Sequence, residues 1–239
     1  MPDKRKHRGP HPDDVRLFAP ERLPGIREAA GEYAWLLTRG YAGKSALKLV
    51  GDRHELYARQ RMAIWRTACS DQALNSRKAR EVTSADCAGR ALGIDGYNIL
   101  VTVESAMSGG VVLIGRDGCC RDLASIHGTY RRVEETAPAV ERIAEHIVAL
   151  GVERVDWYLD KPVSNSGRLK ALIADVLETH GWLERFNIEL LDSPDHVLAN
   201  YSGLVVTADG PVLDRCGRWT NLGYDIIRSL PEAWRVNLR

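Results

Sequence analysis

The stretch VERVDWYLDKPVSNSGRLKALIADVLETHGWLERFNIELLDSPDHVLANYSGLVVTADG, residues 152–210, alternates short apolar runs with amphipathic segments. Val155–Leu159, Ile188–Leu191 and Leu204–Thr207 read as buried strands, short and bounded by turn residues. Between them, Gly167–His180 carries apolar residues at helical spacing, and a short helix is expected around Pro194–Tyr201. Strands separated by helices of roughly ten to fifteen residues imply βαβ units and a parallel sheet flanked by helices, an α/β fold. In such a sheet the functional site lies at the carboxyl ends of the strands.

Upstream of this stretch the same alternation continues. It predicts a strand over Gly93–Val103, a second apolar run at Val111–Ile114 and a helix from about Ala137 to Leu150. The α/β region is therefore expected to span residues 91–239. Before it, Leu23, Ile26, Ala30, Tyr33, Ala34 and Leu37 recur at helical spacing and Gly40 stands where a helix stops. GYAGKSALKLVGDRH reads as a loop with a short helical piece, and a second helix runs from Leu56 to near Cys69. Residues 71–90 read as a linker or a solvated helix. Residues 1–20, charged and Pro-containing with no apolar period, read as a mobile basic arm, so residues 21–90 make a small helical N-terminal region.

Net charge is +1, but residues 1–90 carry 18 Lys and Arg against 11 Asp and Glu, while residues 91–239 carry 15 against 21. A basic part joined to an acidic one suits a protein that holds a polyanion with the first and cations with the second; unrelated surface charges are the plainer reading. No run of eighteen or more apolar residues occurs and no apolar signal region follows the basic start, so a soluble, cytoplasmic protein without a membrane partner is expected. Five cysteines without C-x-x-C spacing argue against a disulfide framework or a zinc ribbon.

The aspartates carry the chemistry. Asp95 stands at the start of the first expected strand, in IDGYNIL; Asp160 ends Val155–Leu159; Asp192 and Asp195 follow Ile188–Leu191; Asp209 follows Leu204–Thr207. Any one of them reads equally well as an ordinary strand-end or turn residue. Together they bring carboxylates to one edge of one sheet, where mutual repulsion raises their pKa values unless a cation compensates. Oxygen ligands of this kind suit Mg2+ or Mn2+.

IDGYNIL resembles the opening strand of PIN-like and NYN nucleases, and YLD, SPDHVLANYSG and VVTADG resemble that superfamily's later segments in the same order. The resemblance covers about residues 91–230. It implies a PIN-like sheet, a metal site at Asp95, Asp160, Asp195 and Asp209 with Asn98 beside them, and cleavage of phosphodiester bonds. Residues 104–135, with Glu104, Asp122 and His127, lie outside the residue-by-residue match. LLTRGYAGKSALKLVGDRHELYARQRMAIWRTACS, residues 36–70, is similar to a prokaryotic family known as domain of unknown function 434, which implies no activity.

Four further features complete the site expectations. Ser164, Asn165 and Ser166 precede a helix and are candidate phosphate contacts, with ordinary helix caps as the plainer reading. Arg116 and Arg121 are candidates to line the substrate path, against a solvated charged turn. Cys119 and Cys120 read as buried thiols, and His127, His146 and His196 lack metal-ligand spacing. Trp157, Trp182, Trp219 and Trp234 read as residues of the core or its edges, with stacking on single-stranded bases as the lesser alternative. The leading expectation is a metal-dependent nuclease acting on RNA; the alternatives are an RNA-binding protein without turnover and a phosphohydrolase of small phosphoesters.

Overall fold

The apolar runs that open and close the α/β region pair side by side. In the computed structural model, which describes residues 6–124 and 130–239, six strands form one parallel sheet. They are β1 (Glu81–Val82), β2 (Ala91–Asp95), β5 (Arg154–Asp160), β6 (Phe186–Leu191), β7 (Leu204–Val206) and β8 (Arg218–Thr220), in the order β1-β8-β7-β2-β5-β6. Because β2 lies between β7 and β5, with Asp95 opposite Tyr158 and Ile94 opposite Val206, the ends of three strands meet in the middle of the sheet.

Side chains alternate across these strands as the pleat requires. Leu92, Ile94, Val155, Trp157, Leu204 and Val206 enter the larger core. It is closed by helices α6 (Gly96–Met107), α7 (Thr136–Ala149), α8 (Ser166–Thr179) and α11 (Leu222–Arg228). On the other face Tyr158, Val205 and Trp219 pack against α9 (Pro194–Ala199) and α10 (Gly210–Arg215).

The strand expected over Gly93–Val103 is two elements. The strand stops at Asp95 and α6 begins at Gly96. The helix is buried on nearly every side, so its sequence lacks the polar stripe that would betray a helical period. Asp95 therefore ends the first strand of this region. The turn is tight: Gly96 lies so close to the Tyr158 carbonyl and the Trp157 indole that a Cβ would overlap both.

The Val111–Ile114 run does not join the large sheet. It forms β3 (Val112–Ile114), which pairs antiparallel with β4 (Cys120–Asp122) and parallel with β9 (Arg235–Asn237). One face of this small sheet, with Leu113, Val236 and Leu238, is the floor of a second core. Its roof is the N-terminal region: α1 (Asp14–Leu17), α2 (Leu23–Thr38), α3 (Gly43–Arg53) and α4 (Ala58–Thr67).

The N-terminal expectations change in three ways. The stretch read as a loop with a short helical piece is the eleven-residue α3. Residues 71–90 are no linker: α5 (Asp71–Arg80) runs directly into β1, which pairs with β8 at the sheet edge. The first twenty residues, as far as they are described, are not a free arm, because Leu17 and Phe18 are buried in the second core. Asp14 is buried as well and ion-paired with Arg59. Arg8 is paired with the fully buried Glu104. The helical region thus shares its core with the small sheet. No helix among the described residues is long and apolar enough to cross a membrane.

Candidate functional site

The carboxyl ends of β2, β5 and β7 bear the acidic residues. Asp95 closes β2, and its Oδ2 accepts a hydrogen bond from the Thr207 hydroxyl at 2.7 Å while its Oδ1 accepts from the Asn98 N–H at 3.4 Å. One side chain therefore ends the strand, caps α6 and grips the end of β7. Two further bonds fasten the same seam: Asn98 Oδ1 accepts the Ala208 N–H at 2.8 Å, and the Thr207 hydroxyl accepts the Asp209 N–H at 3.0 Å. Asp209 caps α10 by accepting from the Val212 N–H at 3.0 Å. Asp160 ends β5, partly exposed, and Asp195 lies exposed in the first turn of α9.

Electrostatics link the four. Burial raises the Asp95 carboxyl to about 7; the Thr207 hydrogen bond opposes this, and the charges of Asp209, Asp195 and Asp160 add to it. Burial and then Asp195 raise Asp160. Burial also raises Asp209, where the Val212 N–H opposes the rise and Asp195 adds to it. Among the described residues, no three His, Cys, Asp or Glu side chains stand close enough to cage an ion by themselves. Mg2+ takes one or two carboxylates directly and keeps several waters, so these all-oxygen donors suit a hydrated ion held at strand ends.

Sequence reading passed over two groups here. Thr207, in the TADG segment, joins Asp95 to Asp209 through its hydroxyl. Tyr97 has a buried hydroxyl without a hydrogen-bond partner among the described residues; burial and then the Asp160 charge raise its pKa.

The arginines behave otherwise than expected. Arg121 lines the cleft described below, but not as a free cation. It is buried, forks onto Asp117 with bonds of 2.8 and 2.7 Å, and donates from Nε to the Ala208 carbonyl at 2.7 Å. Arg77, on α5, reaches the same Asp117 at 2.6 Å and the Gly210 carbonyl at 3.3 Å. Together they hold the loop that carries Asp209, and nothing in the sequence around Arg77 announces this. Arg116 ties the β3–β4 turn to the N-terminal region through the Asp71 carboxylate and through the Cys69 carbonyl at 2.9 Å.

Ser164, Asn165 and Ser166 serve the chain itself. The Ser164 carbonyl accepts the Tyr130 N–H at 3.3 Å, Asn165 donates to the Tyr130 carbonyl at 3.0 Å, and the buried Ser166 hydroxyl donates to the Lys161 carbonyl at 3.2 Å. Asn165 stands in the left-handed region at φ 70° and makes no side-chain cap bond to α8. These contacts secure the turn after Asp160. Trp157 and Trp219 are fully buried, and Trp182 and Trp234 are partly so. All five cysteines are free and buried. His127 lies outside the described residues, His146 bonds to the Arg142 carbonyl of its own helix, and His196 is exposed.

A cleft of about 650 Å3 runs from Asp209 and Asn98 between the two parts of the chain. The N-terminal region contributes Tyr33, Trp65 and Arg77 to its lining.

The family described as domain of unknown function DUF5616 matches residues 84–225, and the family described as protein of unknown function DUF434 matches residues 25–80. A relative from Methanocaldococcus jannaschii, the uncharacterized protein MJ0935, is 28% identical over 192 residues, which cover 79% of this chain and 88% of the relative. No solved structure matches.

Proposed function

This chain belongs to the DUF5616 family, whose description carries no activity, and from the chemistry of its site we propose that it is a Mg2+- or Mn2+-dependent nuclease hydrolysing phosphodiester bonds in RNA. The observation that carries the reading is that Asp95, Asp160 and Asp209, brought from separate elements, have raised carboxyl pKa values, with the charge of the exposed Asp195 adding to the rise at all three. Burying like charges together without a partner costs stability, and a site that accepts the cost is a candidate for function. The resemblance of IDGYNIL and TADG to PIN-like and NYN nucleases supports the same reading.

One or two of Asp95, Asp160 and Asp209 would hold the ion directly, and the remaining carboxylates, Asp195 among them, would face its waters. Such an ion supplies Lewis-acid stabilisation of phosphate charge and a more acidic water. The chain's own residues set the geometry: Thr207 and Asn98 fix the two strand ends, and Arg77 and Arg121 fix the loop bearing Asp209.

The test is cleavage of single-stranded RNA and DNA oligonucleotides with Mg2+, with Mn2+ and with EDTA. Metal-dependent cleavage lost in Asp95→Asn and in Asp209→Asn is the expected result. No cleavage of any oligonucleotide by the wild type overturns the nuclease reading. The spacing of the acids, too open to cage an ion, favours one second reading: RNA binding without turnover. Binding with no hydrolysis would establish it, and hydrolysis of an aryl phosphate alone would point to a small-molecule phosphohydrolase.

A further inference from the structure

Among the described residues Trp35, Tyr41, Tyr57 and Trp65 are the exposed aromatics, and of these Trp65 lines the cleft. It lies on α4 and is 48% exposed, yet its ring is held in place: it rests over the Cα of Gly43 and against Tyr33, with ring centroids 6.5 Å apart and planes at 32°. A Cβ at Gly43 would come within 3.1 Å of the Trp65 ring and of the Tyr33 hydroxyl, so position 43 is bare where the indole passes. A rigid, half-exposed indole offers a flat apolar face with little left to lose in conformational entropy.

That indole lines the same cleft as Asn98 and Asp209. The cleft's size falls within the roughly 300–1,000 Å3 of ordinary small-ligand sites. Its arginines are already matched. Arg66 is paired with Asp122, Arg77 with Asp117 and Asp214, and Arg121 with Asp117. A phosphate would find no unpaired cation among these three arginines, whereas a neutral, planar, hydrogen-bonding group would find an aromatic wall and polar edges. A nucleobase is such a group.

We propose that the cleft is a nucleobase site, in which Trp65 stacks on a base of a single-stranded polynucleotide whose backbone passes the aspartates at the strand ends. This rests on the nuclease reading for its substrate, and it gives the N-terminal helices a specific role, because they supply the stacking wall of a site whose acids lie on the sheet. Trp65 is a binding residue here and has no part in the chemistry.

The experiment titrates the full-length protein in EDTA with single-stranded oligoadenylate and with an abasic oligonucleotide of the same length. Proteins compared are the wild type, Trp65→Leu, which keeps an apolar contact with Tyr33, and Trp65→Phe, which keeps an aromatic face. Trp65→Leu should weaken oligoadenylate binding about tenfold, within what loss of one base–aromatic stack costs. Trp65→Phe should recover most of it, and abasic binding should be equal in all three. Oligoadenylate affinity unchanged in Trp65→Leu, or an equal loss on the abasic strand, overturns the proposal. Cleavage with Mn2+ is read in parallel. Cleavage that persists with unchanged affinity in Trp65→Leu sinks the stacking site and leaves the nuclease reading standing. Stack-dependent binding without any cleavage does the reverse, and a wild type that neither binds nor cleaves sinks both.

Discussion

Asp95 and Asp117 are both buried, at 8% and 5% exposure, yet they titrate in opposite directions. Burial opposes ionisation of Asp117 too, but Arg121 and Arg77 outweigh it, and with the Cys119 N–H they hold its carboxyl at about 2. Asp95 has one hydroxyl and one long N–H bond for compensation, with three carboxylates nearby, and stands at about 7. The two sites are joined by the Ala208–Gly210 segment, which Arg121 and Arg77 grip through backbone carbonyls. One buried aspartate is satisfied within the protein and builds the frame; the other is left short of positive charge, at the place proposed for the ion. Burial alone does not separate a structural acid from a functional one; the supply of partners does.

The largest effect that would break this contrast is expected at Asp117. Asp117→Asn leaves Arg121 buried without its carboxylate, and loss of one partner from a buried pair costs about 3–5 kcal/mol. Urea denaturation measures it, and a loss under about 1 kcal/mol would mean that the arginines find other partners and that the frame is not built on this pair.

The pH dependence of the metal-free protein comes next. Asp95 stands near 7 when folded against an ordinary 3.8, so the unfolded chain releases this proton first, and stability falls as pH rises from about 4 to 7. The contribution is at most about 4 kcal/mol. Asp117 works with the opposite sign: its folded value near 2 makes its contribution complete above about 4 and lost as pH falls towards 2. In EDTA, Asp95→Asn should therefore flatten the decline between pH 4 and 7 and leave the acid limb in place. An unchanged decline in the variant would remove Asp95 as its source.

Metal sharpens the contrast by a smaller amount. Mn2+ at a hundredfold excess over its Kd should stabilise the wild type by about 2.7 kcal/mol through mass action. Asp95→Asn, Asp160→Asn and Asp209→Asn should lose most of that gain, and thermal melts with EDTA and with Mn2+ compare them. A full shift in all three variants would place the ion elsewhere. The smallest effect is expected at Ser166→Ala, which removes one hydroxyl bond to the Lys161 carbonyl and should cost about 0.5–1.5 kcal/mol without altering the Mn2+ shift. A lost metal response there would return Ser166 to the site.

Legibility in the sequence followed burial. Helices with one wet face, such as Thr136–Ala149 and Ser166–Thr179, carry their period in the letters and stand within a residue or two of expectation. The wholly buried α6 carries no such stripe, and IDGYNILVTV reads as a strand because a helix in a core and a strand in a core use the same apolar residues. Acids at strand ends could be named because strands and turns are local. Thr207 and Tyr97 could not, because a hydroxyl acquires meaning only from what it faces.

Local chemistry therefore determined much: the βαβ alternation, the parallel sheet, and the positions of Asp160, Asp195 and Asp209 after their runs are all written within a few residues of each other. Three things waited for the tertiary structure. Arg121 and Arg116, apparent substrate contacts in the letters, became frame residues once Asp117 and Asp71 came within reach. The basic N-terminal stretch became the roof of a shared core and the wall of a cleft when β3 and β9 closed beneath it. And Asp95 became an acid short of partners when β2 settled between β5 and β7, because a carboxylate's pKa is set by the charges and donors brought to it from distant parts of the chain, which no window along the sequence contains.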